Sequence, residues 1–188
     1  MSLRGALFPL VTRDEFKAME LAAPPGVRLE RVGGYVYAMA GAGLAHERIV
    51  ARFVEELGQL ARQHGCQTFG SNRRLSMPDD SDVLPDVSVY CDPDDDDDYA
   101  GYRPCLVVEV LSKSTAMDDL NLKLPRYQNV PSIETIVIIN PEPLYADVFV
   151  RLGNEWTRTN LTSPGDLLVL TCPPCSLPLS TFLPGSKT

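Results

Sequence analysis

Asp86 and Glu109 are carboxylates set into otherwise apolar runs, Leu84-Pro85-Asp86-Val87-Ser88-Val89-Tyr90 and Cys105-Leu106-Val107-Val108-Glu109-Val110-Leu111. An isolated charge in such a run is costly, so each acid must be paired, protonated or bound to a metal. The second run flows into Ser112-Lys113-Ser114-Thr115, then Asp119 and Lys123. Two converging carboxylates and a lysine are the minimal equipment for metal-assisted phosphodiester hydrolysis. The acids hold an oxygen-loving ion, and the ion polarises a phosphoryl oxygen and activates water.

Spacing decides whether these groups can meet. Strand alternation puts Asp86, Ser88 and Tyr90 on one face, and Glu109 with Val107 and Leu111 on another, so neighbouring strands can bring both acids to one spot. On a helix, Asp119, Lys123 and Tyr127 fall on one face, from which Lys123 could reach an attacking water or the scissile phosphate. Lys113 is a rival, because 109, 111 and 113 share a face if the strand continues. Plainer roles stay open: Asp86 as a turn acid after Pro85, Asp119 and Lys123 as a surface ion pair, and Tyr127 as core. His46 is either a phosphate contact or an ordinary histidine in the first turn of a helix.

The elements that must position these groups are readable from pattern. Thr12-x-x-Glu15 is a capping box ahead of a short helix over 12–21. Gly33-Gly34 predicts a hairpin between strands 28–32 and 35–39. Ile49, Phe53, Leu57 and Leu60 repeat at helical spacing over 45–64, with Gly65 as the stop and His64 as a cation at the helix C-terminus. An extended segment over 68–77 and a polar turn at 78–82 precede the two acid-bearing strands, about 84–90 and 104–111. The acidic loop 92–99 joins them. A helix over about 115–129 carries Pro125, which cannot donate to the Asn121 carbonyl and should kink it. A strand at 133–140 and a hairpin around Gly153-Asn154 follow. The proline-rich tail reads as loop with one short strand, 167–170.

The chain has 188 residues, 44% of them hydrophobic and 22% charged, which fits one globular domain, 1–188, rather than disorder. No apolar run is long enough for a membrane span, so the expectation is a soluble, cytoplasmic protein. Five cysteines without framework spacing read as reduced thiols, the lone Cys172-Pro173-Pro174-Cys175 motif included. The net charge of −8 argues against non-specific coating of nucleic acid. Most of the excess comes from Asp92 and the run Asp94 to Asp98, read as a solvated loop, and leaves room for a local basic surface around Arg73-Arg74 or Arg126.

Pro85-Asp86, Val108-Glu109-Val110-Leu111-Ser112-x-Ser114-Thr115, Asp119-x-x-x-Lys123-Leu124-Pro125-x-Tyr127, Val130-Pro131-x-Ile133-Glu134 and Ile139-Asn140-Pro141 together resemble the Uma-two family. Its members are grouped as restriction endonucleases in the PD-(D/E)XK nuclease superfamily. Leu29-Glu30-Arg31-Val32-x-Gly34-x-Val36-Tyr37-x-Met39, and His46 ahead of an amphipathic helix, extend the likeness over residues 12–160. The chain departs from the family at Asn140, often an acid, and at Asn129, often a glycine.

The resemblance implies an α/β (α+β) class: a restriction-endonuclease-like mixed β-sheet flanked by helices, with an N-terminal hairpin. It implies Asp86 and Glu109 as metal-binding acids for Mg2+ or Mn2+, and Glu30 as an accessory acid. The superfamily's lysine usually stands two residues after the second acid, where this chain has Leu111, so the resemblance transfers that role to Lys123. The implied activity is DNA endonuclease, with a homodimer supplying two sites for two strands. A catalytically inactive nuclease-fold binding or regulatory module is the alternative, and RNA or another phosphodiester is a third possibility.

Overall fold

A computed structural model describes residues 10–39, 41, 43–112 and 116–183, with backbone alone for 116–120. The Thr12 hydroxyl accepts from the Glu15 N–H at 3.3 Å and the Glu15 carboxylate accepts from the Thr12 N–H at 2.8 Å. This is the expected capping box, and it starts α1 (Arg13–Ala22). Strands β1 (Leu29–Val32) and β2 (Tyr35–Ala38) pair across Gly33-Gly34. The φ angles of 58° and 83° at these glycines are the two positive values a type I′ turn requires.

Helix α2 (Leu44–Gln63) buries Ile49, Phe53 and Leu57 of its repeat, and Ala61 is buried beside the half-buried Leu60. Its end is capped by His64, whose Nδ1 donates to the Leu60 carbonyl at 2.9 Å. There follow β3 (Gln67–Gly70), β4 (Leu75–Ser76), β5 (Asp82–Val83), β6 (Val87–Tyr90), β7 (Pro104–Val110), α3 (Ala116–Gln128) and β8 (Thr135–Pro141). The chain continues through β9 (Leu144–Leu152), β10 (Glu155–Leu161), β11 (Leu167–Thr171) and β12 (Pro174–Pro178).

Six strands form the main sheet in the order β10-β9-β8-β7-β6-β3; a smaller sheet runs β2-β1-β5-β4, and β11 and β12 form a ribbon. Among these named strands, β7 and β8 make the parallel pair, and α3 is the crossover such a pair needs. The class is mixed α+β, as the sequence implies. Helix α2 covers one face of the main sheet, packing Phe53 and Leu57 against Val87, Val89, Leu106 and Val108. Each such large side chain, fully buried, contributes on the order of 1.5–3 kcal/mol. On the opposite face, Tyr127 and Leu124 of α3 meet Val107, Leu111, Ile136 and Ile138. Strand β7 is therefore covered on both sides, which explains its unbroken apolar run. Glu109 alternates with Val108 and so faces α3.

Three expectations are corrected. Residues 84–90 are not one strand: β5 ends at Val83 and β6 begins at Val87, because Pro85 has no N–H to give a ladder. Asp86 therefore precedes its strand. The tail holds a second strand, β12, paired with β11 from Leu167↔Pro178 to Thr171↔Pro174; as an edge of a two-stranded ribbon it tolerates its prolines. The thiols are not all reduced: Cys66 pairs with Cys91 and Cys105 with Cys172, leaving Cys175 free. The paired positions lie 25 and 67 residues apart; β3–β6 pairing, with Gln67 opposite Tyr90, brings Cys66 to Cys91, and the β11–β12 turn carries Cys172 to Cys105.

Candidate active site

Strand register brings the acids together. The β6–β7 ladder pairs Ser88 with Val107 and Val87 with Val108; one step further, the same register sets Asp86 against Glu109. The Asp86 carboxylate accepts from the Val110 N–H at 2.8 Å, which fixes its side chain beside Glu109. Glu30 arrives from the other sheet. Strand β1 places its carboxylate where the Leu84 N–H donates to Oε1 at 2.7 Å.

Lys123 projects from α3 between two of these acids. Its Nζ lies 2.9 Å from both Glu30 oxygens and 3.6 Å from Glu109 Oε1. Lys123 and Glu30 are each 3% exposed and Asp86 6%, so these charges interact with little screening by water. One turn further along α3, the buried Tyr127 hydroxyl donates to Glu109. The predicted helical face therefore does carry Lys123 and Tyr127 to the site.

His46 stands in the first turn of α2, and its Nε2 donates to Asp86 Oδ2 at 3.1 Å. Its Nδ1 is buried, without a hydrogen-bond partner, and lies 3.8 Å from Glu47. Burial pulls the imidazole down, but the Asp86 hydrogen bond and the charges of Asp86 and Glu47 outweigh it, so the net shift is upward. Glu109 is pushed up to about 8, chiefly by burial, with Asp86 and Glu30 adding to the rise and Lys123 opposing it. The Tyr127 hydroxyl is held well above its ordinary value by burial and by the Glu109 charge.

Two buried carboxylates, Glu30 and Asp86, and the partly buried Glu109 thus converge, with Lys123 between Glu30 and Glu109 and a histidine behind Asp86. Such a surplus of negative oxygen donors is the chemistry of a hard divalent cation site, so the residues present fit Mg2+ or Mn2+. Lys113 lies outside the described residues. Asp119 lies on α3, where the backbone alone is described. The His46–Asp86 contact and the Tyr127 bond to Glu109 are roles that sequence reasoning missed. The 119/123/127 spacing signals Tyr127, but nothing in spacing signals a contact across the 40 positions from His46 to Asp86.

The basic surface sought at Arg73-Arg74 is absent. Arg74 is buried, pairs with Glu20 and stacks over Phe16 and Tyr99. Arg73 donates to the carbonyls of Asp97 and Ala100. Arg126 pairs with Asp79 at 2.8 Å. In the acidic loop, Asp95 accepts from the Tyr102 and Arg103 N–H groups, and Asp97 from those of Tyr99 and Ala100. These two acids thus fold the loop as well as solvate it. Among the described residues, no helix is long and apolar enough to cross a membrane.

Comparison with known proteins agrees with this architecture. Two uncharacterised Synechocystis proteins are similar in sequence, one 29% identical over 160 residues, 83% of each chain. The other is 27% identical over 137 residues, 70% of this chain and 77% of its own. The fold also matches a crystal structure titled as a putative nuclease belonging to DUF820 from Anabaena variabilis. The TM-score there is 0.75 at 17% identity, over 92% of this chain and 97% of that one. A family model, Uma2, described as "Putative restriction endonuclease", matches residues 13–180, and the chain belongs to that family.

Proposed function

We propose that the chain is a divalent-metal-dependent endonuclease that hydrolyses DNA phosphodiester bonds. The observation that carries this reading is the convergence of three carboxylates, Glu30, Asp86 and Glu109, with Lys123 between Glu30 and Glu109, in a largely buried cluster. Asp86 and Glu109 would hold Mg2+ or Mn2+, with Glu30 as accessory acid. When bound, the ion supplies Lewis-acid polarisation of the phosphate and acidifies a water.

The chain's own residues do the rest. His46 and the Val110 N–H orient Asp86 and keep it from turning away. Tyr127 orients Glu109. Lys123, held by Glu30, presents its ammonium to the attacking water or to the charge that grows on the phosphate in the transition state. A proton on His46, favoured by the Asp86 hydrogen bond, would offset part of the carboxylate charge. A homodimer would give one site per strand of a duplex.

A second reading, a catalytically inactive module that keeps the fold, draws support from one observation: Arg73, Arg74 and Arg126 are engaged in internal contacts rather than displayed as a phosphate-binding surface. The deciding experiment is cleavage of supercoiled DNA, single-stranded DNA and RNA at low salt with Mn2+ or Mg2+, against Glu109→Gln. Metal-dependent nicking that disappears in the variant supports the nuclease. Absence of cleavage on every substrate, with no Mn2+ uptake by calorimetry, would favour the inactive module.

A further inference from the structure

We propose a second metal site, built from sulfur alone: with its disulfides reduced, the chain binds one zinc ion through Cys66, Cys91, Cys105 and Cys172. These four residues come from four places. Cys66 follows the end of α2, Cys91 follows β6, Cys105 is in β7, and Cys172 is in the β11–β12 turn. Their sulfurs nevertheless share one small volume. Those of Cys91, Cys105 and Cys172 all lie within 4.8 Å of one another, and Cys66 is bonded directly to Cys91. Across the two disulfides, Cys91 Sγ is 3.3 Å from Cys172 Sγ and 3.5 Å from Cys105 Sγ.

In a tetrahedral zinc–thiolate centre, Zn–S bonds of about 2.3 Å set the sulfurs about 3.8 Å apart. The contacts of Cys91 with the second pair already approach that spacing, so the main adjustments are parting the sulfurs within each pair and bringing the Cys66 sulfur, freed from Cys91, toward Cys105 and Cys172. The donor set is all thiolate, which selects zinc over the hard cations suited to the carboxylates. Cys66 and Cys105 are 6% exposed, and all four pack with the core beneath α2. Cys175, the one thiol outside the pairs, is not part of the site.

The site is distinct from the carboxylates. Asp86 and Glu109 sit at one end of β6 and β7, and Cys91 and Cys105 at the other, about 15 Å away along the strands. Bound zinc would tie the end of α2, the main sheet and the C-terminal ribbon to one point. The chemistry balances. Each disulfide takes two electrons and two protons from a dithiol, which is oxidised to its own disulfide. The four thiols then release four protons as they bind Zn2+.

The test uses the full chain, reduced anaerobically with a phosphine that is then removed. Cobalt(II) titration reads the ligands directly, because only thiolate ligation gives strong sulfur-to-cobalt charge-transfer absorption. One Co2+ per chain with that band, displaced by zinc, is expected. Zinc should also protect four thiols from alkylation in the unsubstituted chain, a readout that needs no variant. Cys105→Ser and Cys172→Ser should each lower the band's intensity and the Co2+ affinity, and Cys175→Ser should leave both intact. Reduced protein with all five thiols reactive in the presence of zinc and no charge-transfer band with Co2+ would overturn the proposal. So would a band of undiminished intensity in Cys105→Ser or one lost in Cys175→Ser.

Discussion

Glu30 and Arg31 are neighbours on β1 and point to opposite sides of it, and the two sides treat charge differently. Arg31 is 1% exposed and fully matched. Its guanidinium donates to Asp82 at 2.8 Å, to Asp80 at 2.8 Å and to the Val11 carbonyl at 3.1 Å. Asp82 also accepts from Ser76 and from Arg13. Asp80 and Asp82 hold the Arg31 guanidinium far above its ordinary value, although burial opposes them. On the other side, Glu30, Asp86 and Glu109 face Lys123, and Glu109 is pushed up to about 8. Buried charge by itself is therefore not a mark of function in this molecule. A network that closes its own account holds structure together; on the other side, burial and the crowding of carboxylates keep Glu109 protonated to about 8, a state that a bound cation would relieve.

Substitutions can break this contrast. The largest effect is expected on the closed side. Asp82→Ala strips the buried Arg31 of a partner and should cost about 3–5 kcal/mol of stability, read as a fall in the urea midpoint with unchanged slope. On the open side, Glu109→Gln should do the opposite. Cleavage falls at least about 100-fold, equivalent to about 2.7 kcal/mol in the transition state, while metal-free stability near pH 8 holds or rises. A Glu109→Gln protein that both cleaves and unfolds like the parent would erase the distinction.

The pH dependence sharpens the same point. Native Glu109 keeps its proton up to about 8, whereas the unfolded group releases it near 4.5. The native state therefore binds more protons across that window, and metal-free stability must fall as pH rises through it, by up to about 1.4 kcal/mol per pH unit. The raised His46 acts in the same direction, its stabilisation present at low pH and lost as pH climbs through its folded value. Calorimetric unfolding from pH 5 to 8 should show this slope, and Glu109→Gln should flatten most of it.

Smaller effects are expected from the residues that orient the acids. His46→Ala should weaken Mn2+ binding about 10-fold or somewhat more, since it leaves Asp86 without one of its two anchors; isothermal calorimetry measures this. Tyr127→Phe should be mildest, about 1 kcal/mol in stability or in metal affinity. A collapse of the fold in Tyr127→Phe would mean that the hydroxyl anchors α3 as well as Glu109.

The legible parts of this molecule were those whose signal is local. Asp86 and Glu109 stand out because a carboxylate in an apolar run has no cheap explanation, and the helical spacing of Lys123 and Tyr127 is a short-range rule. The N-terminal hairpin announces itself through Gly33-Gly34. What stayed hidden depends on chain segments meeting from a distance. Glu30 came through family likeness alone, because the Lys123 it holds is 93 positions away. Arg73 and Arg74 look like surface in sequence and are drawn inward by Glu20 and loop carbonyls. The cysteine pairs depend on which strands adjoin, and the prolines of β12 disguise an edge strand as loop.

That 93-residue span between Glu30 and Lys123 has a consequence during synthesis. The ribosome releases the chain from its N-terminus, so the hairpin, α2 and both acid-bearing strands emerge before the lysine that draws Glu30 and Glu109 together. The charge cluster cannot close on a nascent chain until α3 is out. If the proposed activity is right, the site stays incomplete until synthesis has passed Gln128, and it can close only over the last part of the chain's growth.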